Sequence, residues 1–181
     1  QTLSSVLRLV RASGAQPVVV VPEVDLWGWS RARPPAWLPG NGVALWHAAH
    51  ATAQRCLDSR DPEGALGAAE GMLALDGGHC PTTHRLRATA LRALGRRTEA
   101  REAARDEVNA RAWDNEPTVP GVTSIVQSAL RSCAAEHGAL VVDLPALFEL
   151  EPDEPSLFLD YCHLSPRGVA VAVTALAQCI L

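Results

Sequence analysis

Asp160 and His163 stand three positions apart in the stretch Asp160-Tyr161-Cys162-His163-Leu164-Ser165-Pro166-Arg167-Gly168. A carboxylate on a short turn beside an imidazole can fix the ring's tautomer and orientation, which makes the histidine a proton acceptor. Cys162 invites a second chemistry, that of a thiol nucleophile. Adjacent residues rarely aim both side chains at one point, so the thiol reads better as a small apolar group. Two other histidine groups, His79-Cys80 with His84 and His47 with His50, suggest metal ligation, yet each lacks a third and fourth ligand. No metal, no cofactor and no glycine-rich phosphate loop is expected.

The elements that must hold the Asp160–His163 turn are legible around it. Ser165 followed by Pro166 makes a helix start, and the helix beyond is expected to bury Val169, Val173, Leu176 and Ile180, with Leu159 and Leu164 anchoring the turn on either side. Upstream, Ala139 to Leu144 is a buried strand that Pro145 forbids from extending. Glu149, Glu151, Asp153 and Glu154 then form a solvated loop. Val122, Ile125, Val126, Ala129, Leu130, Cys133 and Ala134 recur at helical spacing, and Gly138 ends that helix.

The chain opens with a helix over residues 3–13, with Leu3, Leu7 and Val10 on one face and Gly14 as the stop. Gln16 to Val21 is a β-branched run of the kind buried on both faces of a parallel sheet, and Pro22 ends it. A loop from Glu23 to Gly42 follows the carboxyl end of that strand, where open α/β sheets place ligands. Trp27 and Trp29 are therefore candidate substrate contacts, weighed against the plainer role of fastening the loop to the core.

Residues 43–111 change character. Trp46, Ala49, Ala53, Cys56 and Leu57 share one helical face; Asp61-Pro62 caps a second helix bearing Ala65, Leu66, Ala69, Met72 and Leu73; a third carries Leu86, Ala90, Leu91 and Leu94; a fourth turns Ala100, Ala103 and Ala104 inward. The loop-helix junctions at Ala65 and Ala100 are 35 positions apart. That period resembles tetratricopeptide repeats, although Gly77 replaces the usual proline and Ala69 and Ala104 the usual aromatics. Two repeats are fewer than such arrays need to stand alone, so the block is expected to lean on the α/β part.

Composition narrows the function classes. A net charge of −4 gives neither a nucleic-acid footprint nor a polybasic membrane patch. All 16 basic residues are arginine, the bias of a GC-rich bacterial genome. Five scattered cysteines without Cys-x-x-Cys spacing fit reduced thiols, and with no apolar run of about 20 residues a cytoplasmic setting is expected.

Asp160-x-x-His163-Leu164-Ser165-x-x-Gly168, preceded by Val141-Val142-Asp143-Leu144 and followed by the terminal helix, resembles the last block of SGNH (GDSL-type) hydrolases. The resemblance implies a three-layer α/β/α, flavodoxin-like parallel sheet, of which residues 1–42 and 113–181 form the second half, with residues 43–112 as a tetratricopeptide-like helical insert. It also implies a serine esterase or acyl hydrolase in which His163 is the general base and Asp160 orients it. The family's Gly-Asp-Ser and Gly-x-Asn-Asp blocks do not occur in the sequence. The expected partner is therefore an upstream half of the domain that supplies serine and oxyanion hole, and the chain alone is expected to be inactive and poorly soluble. The substrate class implied is a small-molecule acyl ester. The alternative is a non-catalytic interaction module whose helical hairpins bind a peptide or carrier protein.

Overall fold

A computed structural model of the chain describes residues 2–27, 38–111, 122–152 and 154–181. Their elements run α1 (Thr2–Ala12), β1 (Val18–Val21), α2 (Gly42–Asp58), α3 (Pro62–Asp76), α4 (Pro81–Ala93), α5 (Arg97–Ala110), α6 (Ser124–Glu136), β2 (Leu140–Asp143), α7 (Leu144–Glu149), a 3-10 turn (Glu154–Leu157) and α8 (Pro166–Ile180). The chain divides into two compact units, residues 1–28 with 122–181, and residues 29–121.

The three-layer sheet implied by the family resemblance is not what these residues build. Among the described residues there are eight α-helices and one two-stranded parallel sheet, β1 beside β2 with Val18 opposite Leu140 and Val21 opposite Asp143. A sheet grows only where further extended segments pair with it, and among the described residues no further strand stands beside β1 and β2. The two strands are also not doubly buried: Val20, Leu140 and Val141 are exposed, whereas Val19, Val21 and Val142 are buried. Pro145 does more than stop β2. It occupies the first turn of α7, whose leading amide at Ala146 is capped by the Asp143 carboxylate at 3.3 Å.

Within this first unit, Val19 packs with Leu7 of α1 and Ala134 of α6. Val18 and Val142 belong to a second cluster with Phe148 of α7, Leu157, Phe158 and the α8 residues Val171, Ala172, Ala175 and Leu176. Arg131 of α6 grips Asp143 through Nε and Nη2, at 2.6 and 2.9 Å, and Arg11 of α1 donates to the carbonyls of His137 and Gly138, closing the end of α6. Two helices rotate away from the faces their apolar patterns suggest. In α6 the buried residues are Gln127 and Ala134, leaving Ile125 and Val126 exposed; in α8, Val169, Val173 and Ile180 point outward.

The second unit contains α2 to α5 joined by short turns, each helix packed on the next. Its core gathers Trp46, Ala53, Ala69, Met72, Cys80 and Leu86. The Asp61 side chain accepts the Gly64 amide at 2.9 Å and caps α3. Asp76, nearly fully buried, accepts the Trp46 indole N–H at 2.9 Å, the Thr83 hydroxyl at 2.5 Å and the Gly78 amide at 2.9 Å. One carboxylate thus ties α2, the α3–α4 turn and α4 together. Buried Glu107 of α5 lies between Arg85 and Arg111, each at 2.6 Å.

Candidate active site

The Asp160–His163 turn is built almost entirely from local contacts. Asp160 Oδ1 accepts the backbone N–H of Cys162 at 3.0 Å and of His163 at 2.8 Å, the pattern by which Asp closes a turn over its own chain. The same carboxylate meets His163 Nδ1 at 2.8 Å through Oδ2 and 3.0 Å through Oδ1. With Nδ1–H donating to the acid, the Nε2 lone pair is left as the basic atom. Among the described residues Nε2 has no hydrogen-bond partner, and the His163 side chain is 70% exposed. The two amides, and after them the imidazole, hold the Asp160 carboxyl down at about 2, so it is an anion at any pH where a histidine could act as a base.

The turn is framed by an antiparallel bridge of Phe158 with Leu164, by Leu159 N–H on the His163 carbonyl at 2.7 Å, and by Ser165 N–H on the Leu157 carbonyl at 2.9 Å. Phe158, stacked edge-on against Phe148, is the anchor on its side. Leu159, which the sequence nominated, is 71% exposed, because the bridge alternates direction and only Phe158 faces the core. On the other side Ser165 Oγ accepts the Gly168 amide at 3.2 Å and donates to the Ser156 carbonyl at 2.6 Å. That serine is a buried helix cap, committed to structure.

The loop after β1 reaches the same place. Asp25 N–H donates to the Tyr161 carbonyl at 3.0 Å, and Asp25 Oδ1 accepts the Trp27 amide at 2.8 Å. Trp27 donates its indole N–H to Glu154 at 3.2 Å and is half-buried, so its polar edge is spent on fastening the loop. Trp29 lies outside the described residues. Glu154, expected in a solvated loop with Asp153, is buried instead, as are Glu23 and Asp25. Gln127 of α6 donates to the Pro22 carbonyl at 2.9 Å and to Glu23 at 3.4 Å. Sequence reading missed this polar cluster at the carboxyl end of β1. Its signal was Pro22-Glu23-Val24-Asp25, acids alternating with an apolar residue directly after a buried strand.

The remaining chemical candidates separate cleanly. Cys162 Sγ lies 3.7 Å from His163 Nδ1, so these neighbours do converge, because the Asp160-centred turn folds both side chains to one side. The sulfur also contacts the Tyr161 hydroxyl and pushes that phenol above its usual value. His47 and His50 flank the Trp46 ring, edge-on at 5.5 Å and stacked at 5.2 Å; burial, then the neighbouring His47, lowers the pKa of His50. His84 Nε2 is engaged with the Gly78 carbonyl at 2.7 Å. Among the described residues, the group of three metal-type donors that comes together is Asp160, Cys162 and His163, and the His79–Cys80–His84 stretch does not.

No protein-family model matches the chain, and no curated protein or solved structure matches it. No helix among the described residues is long and apolar enough to cross a membrane.

Proposed function

We propose that this chain carries the general-base half of a serine-hydrolase site acting on acyl esters. The observation that carries the reading is the imidazole of His163, seated through Nδ1 on an ionised Asp160 with Nε2 open to an incoming hydroxyl. The resemblance of Asp160-x-x-His163-Leu164-Ser165-x-x-Gly168 to the SGNH block names the reaction class.

In this reading Nε2 takes the proton of a serine hydroxyl as its oxygen bonds to the ester carbonyl carbon. Asp160 stabilises the imidazolium that results. The proton then passes to the departing alkoxide oxygen as the ester C–O bond breaks, and the same base activates the water that releases the acid. The serine and the oxyanion-hole donors come from a segment upstream of Gln1 or from a partner chain.

Fluorophosphonate labelling of the full-length encoded protein tests it. The expected result is a labelled serine outside residues 1–181, with the labelling rate falling roughly 10²–10⁴-fold in His163→Ala, the usual contribution of a positioned base. Folded full-length protein that resists labelling, both alone and together with any chain that co-purifies with it, overturns the proposal. That outcome would favour the second reading, a peptide- or carrier-binding module, which draws on the stacked α2–α5 hairpins and their 35-residue offset.

A further inference from the structure

The geometry points to a zinc-class divalent ion binding at Cys162 Sγ, His163 and Asp160, a ligand that would take the base out of action. The three donor atoms lie within 4.8 Å of one another. Sulfur and Nδ1 are 3.7 Å apart and Nδ1 and the carboxylate oxygen 2.8 Å. Donors bound to one tetrahedral zinc stand about 3.5 Å apart, from bond lengths of roughly 2.0–2.3 Å. The sulfur–nitrogen pair is already at that separation, and the carboxylate needs to withdraw by several tenths of an ångström. Its other oxygen is held by the amides of Cys162 and His163, so it stays oriented while it does so.

One thiolate, one imidazole and one carboxylate suit a borderline-soft ion and disfavour magnesium or calcium, which take oxygen ligands. Binding exchanges one proton for the metal: the thiol proton passes to solvent, while the Nδ1 proton relocates through solvent to Nε2, which frees the Nδ1 lone pair for the ion. Nε2 then becomes a donor and can no longer accept the hydroxyl proton. The ion site stands on the turn's geometry alone, whereas its inhibitory effect rests on the hydrolase reading.

The test is titration of the full-length protein with cobalt(II) under anaerobic conditions, followed by optical absorption. A thiolate-to-cobalt charge-transfer band saturating at one equivalent is expected, absent in Cys162→Ser, shifted to roughly 10–100-fold higher cobalt in Asp160→Asn, and displaced by zinc. Circular dichroism confirms that each variant is folded. No band in the wild type, or a band that survives Cys162→Ser, overturns the site. Labelling by fluorophosphonate with and without zinc separates the two readings. Labelling suppressed by zinc and restored by a chelator supports inhibition; labelling indifferent to zinc overturns it; a cobalt band in protein that never labels upholds the ion site and refutes the hydrolase reading.

Discussion

Gly168 sits where α8 presses closest to the chain that precedes the site, and replacing it with alanine is the sharpest test of how the Asp160–His163 turn is held. A Cβ at this position would overlap the carbonyl oxygen of Leu157 and stand 3.1 Å from the Leu157 carbonyl carbon and 3.3 Å from Leu164 Cβ. The obstacle is backbone, which cannot rotate away. Relieving the overlap takes a shift of about 1 Å between α8 and the 3-10 turn, the scale of overpacking that costs roughly 1–3 kcal/mol. That shift stretches the Ser165 N–H bond to Leu157 (2.9 Å) and the Ser165 hydroxyl bond to Ser156 (2.6 Å), each worth about 1 kcal/mol. Alanine's better helix propensity returns about 1 kcal/mol, leaving a net loss of about 2–4 kcal/mol. Gly67 and Gly71, exposed in α3 with no atom within 4 Å of a Cβ, are the controls and should gain about 0.5–1 kcal/mol as alanine. Amide exchange in graded denaturant reads the two units separately. A neutral or stabilising Gly168→Ala would refute the close approach and the helix rotation that follows from it.

Other substitutions test the remaining links. Asp61→Ala removes the α3 cap and should cost about 1 kcal/mol, seen as faster exchange of the amides around Gly64. Trp46→Phe keeps the ring stack but strips the indole N–H from buried Asp76, for a loss of about 1–3 kcal/mol, read as a lower denaturant midpoint at unchanged slope. Glu107→Ala leaves Arg85 and Arg111 without their shared carboxylate. The two arginines are 15% and 21% exposed, so water softens the usual 3–5 kcal/mol penalty to about 2–3 kcal/mol, which thermal unfolding would register. The pH response of the site follows from the depressed Asp160. Its folded value lies below the ordinary 3.8, so its contribution is fully present above that value and is lost as pH falls through about 2. A carboxyl-carbon NMR titration of Asp160 with a midpoint near 3.8 would show that the amide and imidazole contacts do not hold in solution.

Much of the secondary structure was legible because it is written in local signals. Asp61-Pro62, Ser165-Pro166 and Gly138 mark helix ends, and α3 and α8 begin and α6 ends beside them. Helix rotation was less legible. In α8 two apolar stripes that share Leu176 are available, Val169-Val173-Leu176-Ile180 and Val171-Ala172-Ala175-Leu176, and hydrophobicity alone prefers the first; of its members Leu176 does pack inward. The buried Ser165 cap and the closeness of Gly168 to Leu157 select the smaller stripe, a tertiary constraint that no periodicity carries. In α6 the same kind of override turns Gln127 inward, because its amide satisfies the Pro22 carbonyl where β1 ends. The sheet failed for a different reason. The two β-branched runs do form strands, although Val20, Leu140 and Val141 are exposed rather than buried, but the further strands implied by the family resemblance are not found among the described residues.

The Asp160–His163 pair owes little to that sheet. Its contacts span two or three residues, and its frame is one bridge, one helix cap and the Asp25 amide on Tyr161. Such a turn can form wherever α8 docks on Phe158 and Leu157, so an oriented imidazole alone does not make a hydrolase. What gives the turn a reaction is the group that reaches Nε2. That nitrogen belongs to a 70% exposed side chain whose Nδ1 is already occupied by Asp160, and the Ser165 hydroxyl is committed to Ser156 and Gly168. An activated hydroxyl must therefore arrive from the solvent side. A metal ion, by contrast, needs only what the turn already holds. The two ligands compete for one imidazole from opposite nitrogens, and the order in which cobalt and fluorophosphonate block each other reports which of them the site was shaped to accept.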